Sequence, residues 1–151
     1  MNECAYSPSP KVIEAIKKLS VKINRYPDPN WNKITQLLSN HTGTPKNRIV
    51  MGNGSDEAIV AAGRITLEEG AEMVASMPSF PSYYKSALVN GATLKISGIR
   101  DNGANDVGEM LSLITDKTKL VFAATPNNPT GGILSEKEVK KLVEMVPIQL
   151  C

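Results

Sequence analysis

Apolar residues recur along this chain first at helical spacing and then, from Arg48 onwards, in short runs that alternate with helical stretches. Val12, Ile13, Ile16 and Leu19 predict an amphipathic helix within 7–20, and Trp31, Ile34, Leu37 and Leu38 a second one ending near Gly43. The proline-rich stretch between them, Asn24 to Asn30, has no regular period. Beyond it the pattern predicts strands at Arg48–Met51, Glu72–Ser76, Thr93–Ile99 and Lys119–Ala124. Helices are predicted at Ser55–Leu67, Pro81–Val89 and Val107–Ile114, with Asp101-Asn102-Gly103 as a turn. A last helix opens at Ser135, where the capping box Ser135-x-x-Glu138 precedes Val139, Leu142, Val143 and Val146 on one face.

Strands alternating with helices predict an α/β fold in three layers, a mainly parallel sheet with helices on both faces. Residues 1–44 read as a helical N-terminal arm and 45–151 as the sheet-bearing part. No internal repeat or low-complexity tract interrupts this order. Four parallel strands alone would leave unpaired edges and bare apolar faces, so the chain by itself is expected to be marginally folded or to associate.

Composition narrows the function classes. With 151 residues, 41% hydrophobic and 21% charged, the chain has enough apolar surface for a core, which argues against disorder. A formal net charge of +2, without a Lys/Arg run, gives no nucleic-acid footprint. No apolar run reaches the roughly 20 residues of a membrane helix, and MNECAYSPSP lacks a signal-peptide pattern, so a cytoplasmic location is expected. Cys4 and Cys151 stand at opposite ends without a CxxC partner, and no metal site is expected. His41, the single histidine, falls at a predicted helix end, where interaction with the last carbonyls is a simpler role than general base.

The densest chemistry lies in Ala124-Thr125-Pro126-Asn127-Asn128-Pro129-Thr130-Gly131-Gly132. An apolar strand runs into an asparagine, Asn128, bracketed by prolines that restrict the backbone and glycines that let it turn away. A carboxamide just past the carboxyl end of a strand lies where α/β sheets bind ligands, although a loop that merely caps the next helix would look the same. Gly52-Asn53-Gly54-Ser55-Asp56-Glu57 joins a predicted strand to a helix, and its glycines and helix-terminal amides suit a phosphate. Here too there is a plainer reading, with Ser55 or Asp56 as an ordinary N-cap. The dinucleotide fingerprint is excluded because Glu57 occupies its third glycine position, and a P-loop lysine is absent. Phe80 follows a strand end and the turn Met77-Pro78-Ser79, with Tyr83 and Tyr84 nearby as alternative aromatic faces. Tyr26 sits in the irregular Asn24-Arg25-Tyr26-Pro27-Asp28, a place for a half-buried anchor.

The segment Asn127–Gly132 resembles the asparagine signature of pyridoxal-phosphate aminotransferases of the aspartate aminotransferase fold. With Asn24–Asp28, Gly52–Glu57 and Pro78–Phe80 it follows the order and approximate spacing of the histidinol-phosphate aminotransferases, over about residues 2–147. The resemblance implies the N-terminal half of the large domain of that fold, pyridoxal 5'-phosphate as cofactor, and amino transfer from glutamate to imidazole acetol phosphate in histidine biosynthesis. It implies that the backbone around Gly54, Ser55 and Asp56 holds the cofactor phosphate, that Phe80 stacks on the pyridine ring in a place more often given to tyrosine, and that Asn128 donates to the phenolic oxygen. It further implies a homodimer in which Tyr26 reaches the neighbouring subunit's cofactor phosphate, and a place for Tyr6 along the substrate pocket. Cys4-Ala5 replaces the usual Asn-Pro before Tyr6, which bears on substrate preference.

By the same resemblance, the lysine that holds the cofactor aldehyde belongs to a part of the family sequence beyond residue 151. So do the partners of the pyridine nitrogen and the substrate-clamping arginine. The chain is therefore expected to be an N-terminal piece, with Cys151 a product of truncation, and not to transaminate alone. Two alternatives remain at this level: a relative such as threonine-phosphate decarboxylase of cobalamin synthesis, and a non-catalytic phosphate-binding module.

Overall fold

The computed structural model describes residues 3–146, and the chain divides into two units, Met1–Met51 and Gly52–Cys151. The first holds helices α1 (Pro10–Leu19) and α2 (Asn32–Thr42), each followed by a short 3-10 turn, Ser20–Lys22 and Lys46–Arg48. Ser9 caps α1 by accepting from the Val12 amide, and Pro10 occupies the first turn, where no amide is needed. Asp28 accepts from the amides of Asn30 and Asn32 at the start of α2, whose end is marked by Gly43 in the left-handed region at φ 71°. Among the described residues of this unit only Thr35 is buried. The apolar stripe of α1, Val12, Ile13, Ile16 and Leu19, is exposed.

The expected strand at Arg48–Met51 does not form. The chain there passes from the 3-10 turn into an extended Ile49 (φ −110°, ψ 118°), but no neighbouring strand accepts its hydrogen bonds among the described residues, and Val50 is exposed. Extended backbone without a partner is not a strand. The sheet accordingly has three strands where four were expected.

The second unit is built on β1 (Glu72–Ser76), β2 (Thr93–Ser97) and β3 (Thr118–Phe122), in the order β2-β1-β3 and all parallel. β1, at the centre, is buried from Met73 to Ser76. Its side chains alternate between two cores, as the two-residue period of a strand requires. Met73 and Ala75 join Leu67, Ala71 and Ala87 on one face, beneath α4 (Pro81–Val89). Val74 joins Ala104, Val107, Met110, Leu134 and Leu142 on the other, beneath α5 (Val107–Leu113) and α6 (Glu136–Met145). Helix α3 (Gly54–Thr66) packs on α4, and Gly63 lies so close to Ser86 that a Cβ there would reach its Oγ. The unit is therefore a three-layer α/β/α arrangement, as the alternating pattern predicts.

Strands β2 and β3 end before the predicted Ile99 and Ala124, because the chain leaves the sheet for the loops at its carboxyl end. Ile99 instead bridges antiparallel to Asn105 across the turn at Asp101-Asn102-Gly103. The capping box forms as predicted, with Ser135 Oγ accepting from the Glu138 amide and the Glu138 carboxylate accepting from the Ser135 amide at 2.8 Å. Of the predicted apolar face of α6 only Leu142 is buried. Cys4 is an exposed free thiol, while Cys151 lies outside the described residues.

Candidate functional site

Three chain segments meet at the carboxyl end of the sheet. β1 runs into Met77-Pro78-Ser79-Phe80 and then α4; β3 runs into 123–132; and α3 presents its amino terminus to that of α4 through Asp56, whose carboxylate accepts from Ser82 Oγ. The second tie is Ser79 Oγ donating to Asn127 Oδ1 at 2.8 Å, a buried bond between the loops that follow β1 and β3. Two side-chain hydrogen bonds thus gather Gly54–Asp56, Phe80 and Asn128 at one end of one unit.

The start of α3 is an open, glycine-led helix terminus. Gly54 takes φ +77°, and nothing lies within 4 Å of where its Cβ would be, so the left-handed turn leaves open space above the helix. Asn53 occupies the cap position without a side-chain cap bond, so neither Ser55 nor Asp56 is the N-cap. Among the described residues, the amides of Ser55 and Asp56 find no acceptor. Residues 52–58 are exposed, so these amides and the positive end of the helix dipole face solvent. Glu57 folds back to accept from the Asn53 amide and fixes the glycine turn.

Of the three aromatic candidates, two are engaged elsewhere. The Tyr83 ring stacks on Phe122, with centroids 4.4 Å apart and planes 9° from parallel, and burial pushes its hydroxyl pKa up. The Tyr84 hydroxyl accepts from the Ser79 amide at 2.7 Å and donates to the Ser76 carbonyl at 2.8 Å; burial pushes its pKa up as well, against the Ser79 hydrogen bond, which lowers it. Tyr84 thus serves as a hydrogen-bonding group of the turn, and Tyr83 as a stacked ring beside the core. Phe80, half-buried at the cap of α4, meets the Tyr83 ring edge-on at 5.8 Å and 79°, its one aromatic pair among the described residues.

The two asparagines of the Pro/Gly turn play different parts. Asn128 is half-buried, and its carboxamide makes no hydrogen bond to the described residues. Asn127 is buried and nearly saturated: besides accepting from Ser79 it donates to the Pro78 carbonyl at 3.0 Å and to Thr130 Oγ1 at 2.7 Å. Its backbone closes the turn, the amide donating to the Gly132 carbonyl and the carbonyl accepting from Gly131. Sequence reasoning missed Asn127, Ser79 and Thr130. A signal was available, since neighbouring side chains of extended backbone point to opposite sides, so of two consecutive asparagines one tends to face inwards.

Tyr6 and Tyr26 belong to the first unit, and both rings are exposed, Tyr26 fully so. Lysines are absent from residues 52–56, 77–80 and 123–135. Lys95 is engaged at the opposite, amino end of the strands, where it pairs with Glu72 at 2.8 Å. Among the described residues no three His, Cys, Asp or Glu side chains cluster as metal ligands, and no helix is long and apolar enough to cross a membrane.

The family model described as aminotransferase class I and II matches residues 1–149. The histidinol-phosphate aminotransferase of Methanococcus aeolicus is 38% identical over 145 residues, covering 94% of this chain and 39% of that protein. The histidinol-phosphate aminotransferase of Shouchella clausii is 34% identical over 146 residues, covering 97% and 40%. The crystal structure of histidinol-phosphate aminotransferase from Sinorhizobium meliloti in complex with pyridoxal-5'-phosphate superposes with a TM-score of 0.90 at 27% identity, over 97% of this chain and 40% of that one. The chain spans about two fifths of the length of the curated relatives it matches.

Proposed function

The chain belongs to the class I and II aminotransferases, and from that premise we propose that its second unit is the cradle for the phosphate and ring of pyridoxal 5'-phosphate in a histidinol-phosphate aminotransferase. The residues present fit that group. A glycine-led helix terminus offers amides without acceptors, and a free carboxamide and an aromatic ring flank the neighbouring loops. When bound, the cofactor supplies the electron sink that amino transfer requires.

Each residue has a task set by its chemistry. The amides of Ser55 and Asp56, with the open turn at Gly54, donate to the phosphate and meet its charge with the α3 dipole. Asn128 donates its side-chain N–H to the phenolic oxygen and favours the anionic form of that oxygen. Phe80 offers its face to the pyridine ring and excludes water from one side. The proton-moving amine comes from outside these loops, which carry no lysine. Residues 1–44 are proposed as the arm and 45–151 as the cofactor-binding part. In a homodimer, Tyr26 of the partner subunit is proposed to add its hydroxyl to the phosphate, and Tyr6 to line the substrate pocket. The exchanged pair is glutamate with imidazole acetol phosphate, in the cytoplasm.

The observation that carries this reading is the gathering of the three loops at one end of the sheet by the Asp56–Ser82 and Ser79–Asn127 bonds. Pyridoxamine 5'-phosphate, which needs no lysine to hold it, is the direct probe. Saturable quenching of its fluorescence by the protein, reversed by inorganic phosphate, is the expected result; no binding at millimolar ligand would refute the cradle. For the substrate, the chain joined to the remaining segment of the Methanococcus aeolicus enzyme is expected to transaminate histidinol phosphate, and inactivity of a folded, cofactor-loaded chimera would refute that assignment.

A further inference from the structure

We propose that Asn127 is a positioning residue, whose buried carboxamide sets the spacing between the Phe80 ring and the Asn128 carboxamide; the proposal rests on the cofactor-cradle reading above. Asn127 belongs to no helix or strand and is not among the residues assigned to the cofactor. Yet it is only 3% exposed, and its side chain uses both N–H groups and its carbonyl oxygen.

Its partners explain why. The Ser79 hydroxyl and the Pro78 carbonyl both belong to the turn just before Phe80, and Asn127 accepts from one and donates to the other. On its own side Asn127 donates to Thr130 Oγ1, whose hydroxyl donates in turn to the Gly103 carbonyl. One carboxamide therefore joins the loop after β1, the turn that holds Asn128, and the turn at Gly103. The first of these is held from its other side as well, because the Ser79 amide donates to the Tyr84 hydroxyl, which donates to the Ser76 carbonyl. Phe80 thus follows a turn fixed on both sides, and Asn128 follows the residue that does the fixing.

Only asparagine meets these demands at this length. Aspartate keeps the acceptor for Ser79 but loses both donors and buries a charge. Alanine leaves the buried Ser79 hydroxyl without its acceptor and removes the bonds to the Pro78 carbonyl and Thr130, which tie the two loops together. Either change frees the two loops to drift apart, while the start of α3, tied to α4 through Asp56 and Ser82, keeps its place.

That asymmetry gives the test. Dissociation constants for pyridoxamine 5'-phosphate and for inorganic phosphate are measured on the 1–151 protein and on Asn127→Ala, Asn127→Asp and Ser79→Ala. Asn127→Ala is expected to weaken pyridoxamine phosphate by on the order of tenfold and to leave inorganic phosphate within about twofold. Ser79→Ala, which removes one of the three bonds, is expected to fall between, and the two changes together to cost less than their sum. Unchanged pyridoxamine phosphate binding in Asn127→Ala, or a parallel loss of both ligands, overturns the proposal, since the second outcome marks a role in the fold alone.

A ligand-free measurement separates this proposal from the cradle on which it rests. If the unaltered protein binds phosphate but no pyridoxamine phosphate, or neither, the cradle reading falls. The loop coupling is then read from backbone amide chemical shifts, in which Ser79→Ala is expected to move the signals of Thr130, Gly131 and Gly132. Signals that stay in place overturn the positioning role. The same variant carries the test if Asn127→Ala does not fold, because it leaves the Asn127 carboxamide and its two donor bonds in place.

Discussion

Ser76 and Ser97, paired in register at the carboxyl ends of β1 and β2, hydrogen-bond to each other through their hydroxyls at 2.7 Å, and both are fully buried. Each hydroxyl satisfies the other in a place where water does not reach. Ser76→Ala or Ser97→Ala is expected to lower stability by about 1–3 kcal/mol, because each strands a buried polar group. The double alanine variant is expected to recover most of that loss, since no group is then left unpaired. Urea midpoints of the two singles and the double check this. A double variant whose loss equals the sum of the singles would mean that the hydroxyls act independently.

Gly132 supports a second prediction, because the Asn128 turn lies against the turn at Gly103. A Cβ on Gly132 would fall 2.0 Å from the Ala104 nitrogen and 2.0 Å from the Gly103 carbonyl carbon, both backbone atoms that cannot rotate aside. Gly132→Ala must therefore push two loops apart, at a cost of about 1–3 kcal/mol or more. Gly131 lies one residue away in open space and needs only its left-handed φ of 75°, so Gly131→Ala is expected to cost about 1–2 kcal/mol. Hydrogen exchange separates the two mechanisms. Gly132→Ala is expected to speed exchange at Ala104, and Gly131→Ala only within its own turn.

These two glycines also show how far the sequence could be read. The period of the apolar residues located helices α3 to α6 and strand β1, because each must bury a face and its period follows from that need. The carboxyl-end loops were legible as chemistry, since Pro, Gly and Asn together restrict a backbone in recognisable ways. What those loops touch was not legible. Gly132 against Ala104 and Ser79 against Asn127 are contacts between segments 28 and 48 residues apart, and no local pattern encodes a distance across space. The missing strand at Arg48–Met51 failed for a related reason, as its apolar residues suit a strand but pairing depends on a neighbour.

Acid should weaken the fold first at two carboxylates. Glu72 bridges the amino ends of the strands, accepting from Lys95 Nζ, Thr115 and Thr118, and these contacts hold its carboxyl below the usual 4.5, the Lys95 hydrogen bond most of all. Glu138 is held below 4.5 mainly by the Ser135 amide and hydroxyl, with Arg100 adding its charge at 2.7 Å. A carboxyl depressed in the folded state binds its proton more readily when unfolded, so its contribution is present above 4.5 and is lost as pH falls through the folded value. Stability is therefore expected to be level from neutral pH to about 5 and to decline below 4.5. Glu72→Gln and Glu138→Gln are each expected to flatten that decline while lowering stability at pH 7, and urea unfolding at stepped pH checks both. A decline as steep in the double glutamine variant as in the parent would assign it to other groups.

Phe80 caps α4 and Tyr83 lies three residues on in its first turn, and their packing predicts different phenotypes. Tyr83 stacks flat on Phe122 and packs, half-buried, against the core beneath α4, so Tyr83→Ala is expected to cost about 1–3 kcal/mol of stability. Phe80 is half-buried too, but its one aromatic pair among the described residues is an edge contact rather than a flat stack, so Phe80→Ala is expected to lose less. If its free face serves the cofactor ring, the same substitution weakens pyridoxamine 5'-phosphate by about 0.5–1.5 kcal/mol, or roughly twofold to tenfold, and leaves inorganic phosphate untouched. Phe80→Tyr keeps the ring and is expected to bind pyridoxamine phosphate at least as well as the parent. Thermal midpoints and the two dissociation constants, measured on all three variants, give the full comparison. Equal pyridoxamine phosphate affinity in Phe80→Ala and the parent would remove Phe80 from the site and return the stacking role to another residue.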